Sequence, residues 1–340
     1  MIIDLRSDTV TKPTPEMLEF MFKANVGDDV FNEDPSVNQL QSLAAEMFGM
    51  EAAIFCPSGT MTNQIAVKAH TQPGDELICE TGAHLYYYEG GGIAANSGVT
   101  TRTLTGNRGV FTADQLSDVL RPSDVHFPKP SLVSIENTCN RGGGKIFDFN
   151  EIQKIKVVCE NEGLKLHLDG ARLFNALMAE NRAPKEIGDT FDSVSICLSK
   201  GLGAPVGSLL LGSQKLIEQA YRIRKVFGGG MRQAGYLASA GIFALENNVN
   251  RLSESHRLAK DIESVLENCE YVSGVLEVET NIIVFELKKH ISTDEFLDYL
   301  KENEILAFAV GNQNIRFVTH LSVPNQALVQ IKKVLEGYSA

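Results

Sequence analysis

Along most of the chain, short apolar runs bounded by Gly or Pro alternate with longer segments whose apolar side chains recur every three or four positions. The short runs predict strands at 52–56, 76–80, 131–136, 165–169, 193–198 and 206–211. The longer segments predict helices at 38–48, 62–70, 152–161, 213–226 and 233–245. A crossover helix between most neighbouring strands is what a parallel sheet requires. Near Asn248 the pattern changes: a charged helix at 251–268 leads into strands at 281–287 and 315–319, with helices at 293–302 and 324–335. Ser292 and Glu295 have the spacing of a capping box for the helix at 293. The pattern predicts an α/β chain with a large unit over 1–247 and a smaller α+β unit over 248–340, joined by the long helix.

With 340 residues, 43% of them hydrophobic, the chain can bury a full core, and its net charge of −12 excludes nucleic acid as a partner. Six cysteines, at 56, 79, 139, 159, 197 and 269, show no C-x-x-C and no zinc spacing. They read as buried thiols in a reducing compartment, and no metal site is expected. Asp4, Arg6 and Asp8 interrupt the N-terminus where a secretion signal needs an apolar core, and no run approaches the ~18 apolar residues of a membrane span. A soluble cytoplasmic protein is the expectation.

The chemistry is concentrated between Leu164 and Gly207. Asp169 ends an apolar strand pattern, and Lys200 lies in a Gly-rich turn one helix and one strand further on. Pyridoxal phosphate needs such a pair, a carboxylate for its ring nitrogen and an amine to form an imine with its aldehyde. Each residue alone reads equally as an ordinary cap or turn. Ser58, Gly59 and Thr60 stand between a strand and a helix, where free backbone N–H groups cradle a phosphate. A plain helix cap is the other reading. Gly59 was expected to let the backbone approach the ligand closely. His84, just past the strand at 76–80, is a candidate to cover the ring face, and Arg172 and Arg316 are candidates to hold a substrate carboxylate. The Gly201-Leu202-Gly203 run lacks the spacing of a dinucleotide or nucleotide-triphosphate loop.

The chain resembles the low-specificity L-threonine aldolases, pyridoxal-phosphate enzymes of fold type I. The resemblance runs nearly end to end, through LRSDTVT at 5–11, GDDV at 27–30, SGT at 58–60, YEGGG at 88–92, HFP at 126–128, IENT at 135–138, HLDGAR at 167–172, SKGLGAPVG at 199–207 and GGGMRQ at 228–233. It implies a mostly parallel seven-stranded sheet in the large unit, with residues 1–14 near the active site. Lys200 would carry the imine, Asp169 would face the ring nitrogen and His84 would stack on the ring. Ser58, Gly59 and Thr60 would bind the phosphate, aided by Arg232 and Lys225 from a neighbouring subunit. Ser7, Arg172 and Arg316 would grip the substrate carboxylate, and His84 or His126 would take the proton of the β-hydroxyl. The implied reaction is cleavage of L-threonine or L-allo-threonine to glycine and acetaldehyde by a homotetramer built from dimers. A β-eliminating lyase or transaminase of the same fold would share Asp169, Lys200 and the phosphate turn. One departure stands out: Phe31-Asn32 replace a Tyr-Gly common among relatives. Glu89 reads either as a group acting near the cofactor or as a support for the glycine-rich loop.

Overall fold

Every predicted strand forms in the computed structural model, which describes residues 2–339. Ile3–Asp4 is β1, followed by β2 (Ala52–Cys56), β3 (Glu76–Glu80), β4 (Thr100–Leu104), β5 (Pro130–Glu136), β6 (Lys165–Gly170), β7 (Ser193–Cys197) and β8 (Ser208–Gly212). The main sheet runs β2-β8-β7-β6-β5-β3-β4. Pairing is parallel from β4 through β7, while β8 is antiparallel to both of its neighbours. Helices cover both faces, and strands β5 to β8 are buried along almost their whole length. Only β8, SLLLG, reads as an apolar run; in β6 and β7 the buried polar residues His167, Asp169, Ser193 and Ser195 alternate with apolar ones.

Strand β4 was not expected. Its sequence, TTRTL, is polar because it forms the edge of the sheet and only Leu104 is buried. The eighth strand starts at Ser208, two residues later than predicted. The helix Gly59–His70 starts three residues earlier than predicted, so the candidate phosphate turn is itself the first helical turn.

The C-terminal part is a second sheet with its own core, made of β9 (Val272–Val275), β10 (Ile282–Leu287), β12 (Phe308–Ala309) and β13 (Asn314–Val318). Its order, β12-β13-β10-β9, is antiparallel throughout. β11 (Ile305–Leu306) pairs with β1, and Ile3 and Leu5 belong to this second core. The N-terminal segment is thus built onto the C-terminal sheet and carries Ser7 and Asp8 back toward the ends of the main strands. Ser292 caps the helix Thr293–Glu302 by accepting from the Glu295 N–H at 3.3 Å. Among the described residues no helix is long and apolar enough to cross a membrane.

Candidate active site

Parallel strands end together, and the loops beyond their carboxyl ends form a crevice where ligands bind. Glu136 and Asp169 are register partners at the ends of β5 and β6. Asp169 is buried; one of its oxygens accepts from the Ala171 N–H at 3.2 Å and the other from Asn63 Nδ2 at 2.9 Å. Behind it, Asn63 Oδ1 faces His167 Nε2 at 3.3 Å, and His167 Nδ1 meets Ser193 Oγ at 2.8 Å. Burial pushes His167 down to about 4, so it is neutral near pH 7.

His84 opens the short helix His84–Tyr87. Its Nδ1 lies 3.0 Å from Glu89 Oε1, and Glu89, whose side chain is wholly buried, also accepts from Asn63 Nδ2 at 2.9 Å and Gln64 Nε2 at 2.7 Å. The hydrogen bond to Glu89 raises the pKa of His84 against the opposing effect of burial. Carboxylate partners of this kind fix which imidazole nitrogen carries the proton and orient the ring. The sequence left Glu89 between a place near the cofactor and support of the glycine-rich loop; the fold makes it the partner of His84 Nδ1. Ligand atoms of His84, Glu89 and Asp169 all lie within 4.8 Å of one another. Lys200 is half-buried, and its charge lowers the pKa values of both His84 and Asp8.

At the phosphate turn, both readings of Ser58 hold. It is the N-cap of Gly59–His70, with Oγ accepting from the Met61 N–H at 3.2 Å. Its hydroxyl proton and the first N–H groups of the helix remain directed outward, where an anion is favoured. The structure gives Gly59 a packing reason of its own: an added Cβ would lie 2.5 Å from Cys197 Sγ on β7. Packing of the turn against the sheet requires the glycine.

The two arginines differ. Arg172 is buried and pairs in bidentate fashion with Asp8, Nε to Oδ2 at 2.8 Å and Nη2 to Oδ1 at 2.7 Å. Burial alone would raise the Asp8 pKa, but the Arg172 charge overrides it and brings the group down to about 2. Arg316, on β13, has no carboxylate partner among the described residues. Nη1 donates to Asn140 Oδ1 at 3.2 Å, Nη2 to the Arg6 carbonyl at 3.2 Å, and its buried Nε has no partner. Ser7 is half-buried and caps the turn Asp8–Val10, accepting from the Thr9 N–H at 3.2 Å. Asp8, Asn63 and Asn140 escaped the sequence reading. Their only signal was membership of, or closeness to, the motifs at 5–11, 58–60 and 135–138, because an acid or amide acquires a role only from what it touches.

Three candidates lie apart. His126 is exposed, with Nδ1 2.6 Å from Asp124 Oδ1. Its loop sits at the amino ends of the strands, where Arg121 pairs with Glu76 at 3.1 Å and stacks on Phe127. The length of β5, roughly 20 Å at ~3.3 Å per residue, separates it from Glu136 in the same chain. Arg232 is exposed and bonds Asp28 at 2.9 Å, and Lys225 is exposed on the helix Gln214–Val226. Within one protomer none of the three joins the crevice.

A cradle of N–H groups, a buried carboxylate, a lysine and an imidazole around one crevice fit pyridoxal phosphate, and the fold and site define an α/β pyridoxal-phosphate enzyme. The beta-eliminating lyase family model matches residues 4–290. The low specificity L-threonine aldolase of Escherichia coli K12 is 42% identical over 331 residues, covering 97% of each chain. Low-specificity L-threonine aldolase 1 of Arabidopsis thaliana is 39% identical over 325 residues, 94% of this chain and 91% of that one. The Leishmania major threonine aldolase structure superposes with a TM-score of 0.86 over 98% of both chains at 22% identity, which speaks for the fold alone. The chain belongs to the beta-eliminating lyase family and, within it, to the low-specificity L-threonine aldolases.

Proposed function

We propose that this chain cleaves the Cα–Cβ bond of L-threonine, L-allo-threonine and other L-β-hydroxy-α-amino acids, giving glycine and acetaldehyde or the matching aldehyde. The observation that carries the reading is Arg316: a half-buried guanidinium beside the Asp169 crevice, with a buried, unpartnered Nε and no carboxylate partner among the described residues. Burying such a group is costly unless an anion completes it, and the α-carboxylate of an amino acid does so.

Pyridoxal phosphate, when bound, supplies a carbonyl for covalent attachment of an amine and a ring that accepts electrons. Lys200 is the amine for that attachment, Asp169 holds the proton on the ring nitrogen, and the first turn of Gly59–His70 holds the phosphate. Arg316 would anchor the substrate carboxylate, with Arg172 and Ser7 beside it, and so orient the bonds at Cα. His84 covers the ring, and with Nδ1 committed to Glu89 its Nε2 is the free edge that accepts the β-hydroxyl proton. The raised pKa makes it a stronger base.

His126, Arg232 and Lys225 serve a neighbouring subunit in this reading. Apolar side chains flank them in the open: Val125 is 98% exposed, Phe31 66% and Val226 78%. These patches support a homotetramer of dimers. Two separate hydrophobic cores support a division at 247/248, with β1 added to the second unit. Six buried free thiols fit a reducing cytoplasm.

The test is a spectrum of the purified protein with cofactor, followed by L-threonine and L-allo-threonine with coupled detection of acetaldehyde. A visible cofactor band lost in Lys200→Ala, with acetaldehyde and glycine formed in equal amounts, is the expected result. Pyruvate or a keto acid in place of the aldehyde would move the chain to another reaction of this fold.

A further inference from the structure

Glu136, at the end of β5, meets no ligand group directly. Its carboxylate instead spans two loops. Oε2 accepts from the backbone N–H of His84 at 2.6 Å, and Oε1 accepts from the backbone N–H of Asn140 at 2.8 Å. Asn140 then presents Oδ1 to both arginines, Arg172 Nη1 at 3.4 Å and Arg316 Nη1 at 3.2 Å. One side chain therefore links the imidazole over the ring to the cations at the substrate carboxylate. The opposite edge of Glu136 borders a cavity of about 300 Å³ shared with Glu80, Arg108 and Arg141. No arginine or lysine neutralises it by direct contact among the described residues; burial and the nearby Asp169 push its pKa up to about 7, and the two main-chain N–H groups oppose that rise.

We propose that Glu136 and Asn140 are positioning residues which set the separation between the His84 ring and the carboxylate-binding arginines. The inference rests on the aldolase reading above. Two hydrogen bonds from main-chain amides, charge-assisted when Glu136 is ionised, hold both loops by their backbones. Asn140 is the neutral acceptor that the arginines need: it orients Arg316 without satisfying its charge, so the cation stays open to substrate. An acid at 140 would close that position, and a residue without an acceptor would leave the fork to rotate.

Three variants test this: Glu136→Gln, Asn140→Ala and Asn140→Asp. Glycine is titrated into each cofactor-loaded protein and followed by its spectral change, alongside cofactor affinity and threonine kinetics. Amide hydrogen exchange of the segments containing His84 and Asn140 is measured without cofactor. Glu136→Gln turns one acceptor into a donor facing an N–H. Loss of one such buried bond is worth about tenfold or more. Expected results are glycine affinity weakened at least about tenfold, KM raised along with a lower kcat, faster exchange of both amides, and cofactor affinity retained. Asn140→Asp is expected to weaken glycine more than Asn140→Ala does, because its charge competes for Arg316.

Glycine affinity and amide exchange like those of the parent in Glu136→Gln would overturn the proposal, as would Asn140→Asp binding glycine no worse than Asn140→Ala. If Glu136→Gln does not fold, the two Asn140 variants decide alone. Failure of the aldolase reading is separate: the parent protein would then release no aldehyde, whatever the variants do.

Discussion

Nδ1 of His84 and Oε1 of Glu89 lie 3.0 Å apart, and that carboxylate has no exposed surface. The pair raises the proton affinity of the His84 imidazole and commits one of its nitrogens. Replacing Glu89 by Gln removes the main cause of the raised pKa, so the imidazole loses its proton at lower pH. The acidic limb of the kcat/KM profile shifts to lower pH, and turnover on the plateau falls about tenfold or more. Stability has a related sign: the raised pKa stabilises the fold below the ordinary imidazole value of about 6.5, and this fades as pH rises through the folded-state pKa. Profiles for both proteins at equal cofactor occupancy check this; an unmoved acidic limb would count against His84 as the base.

The Asp8–Arg172 pair ties the N-terminal segment to the turn after β6 with both side chains nearly inaccessible, 0% and 7% exposed. Asp8→Ala leaves a buried guanidinium unpaired and is expected to cost about 3–5 kcal/mol, read from denaturant unfolding. The depressed Asp8 pKa, from 3.8 to about 2, stabilises the folded state above the unfolded value and is lost as pH falls through 2. The parent therefore loses roughly 2 kcal/mol more than Asp8→Ala does between pH 5 and pH 2. Parallel acid-side losses in the two proteins would refute that assignment.

Gly59→Ala drives a methyl group to 2.5 Å from Cys197 Sγ. Overpacking of this kind costs about 1–3 kcal/mol and displaces the turn that holds the phosphate. Stability and cofactor affinity should both fall. Cys197→Ala in the same chain opens the space, so the double variant should recover much of the loss. A double-mutant cycle measures the coupling, and additive effects would show that the glycine is required for another reason.

Because the full length of β5 separates His126 from the crevice of its own chain, its role depends on assembly. Mixing inactive Lys200→Ala subunits with weakly active His126→Ala subunits, after dissociation and reassembly, should restore sites that take Lys200 from one chain and His126 from the other. Recovery toward about a quarter of parental activity is expected for random pairing into dimeric site units. No recovery, with reassembly confirmed by size, would place the whole site within one chain.

Most of the architecture was legible because burial on both faces leaves a strong trace. Each of β5 to β8 carries at least two buried aliphatic residues between turn signals, and Cys159 and Ile155 mark the inner face of the helix Phe149–Glu162. β4 left no trace, since an edge strand satisfies itself with threonines and one buried leucine. β1 was invisible for a different reason. It is two residues long, and its partner β11 lies about three hundred positions away in sequence.

The sequence by itself determined the α/β class and the residue types whose chemistry is singular: a lysine in a glycine-rich turn, an aspartate at a strand end, an S-G-T turn before a helix. Local order suffices for these, because strand ends and helix starts carry their own signals. Only the tertiary structure decided that Arg172 is committed to Asp8 while Arg316 stays open, that Glu89 belongs to His84, and that Gly59 answers to Cys197. Only it placed His126 at the far edge of the sheet. The charge state and availability of a side chain depend on neighbours brought from distant segments, and distances of 3 Å between such segments are set by the packing of the whole fold.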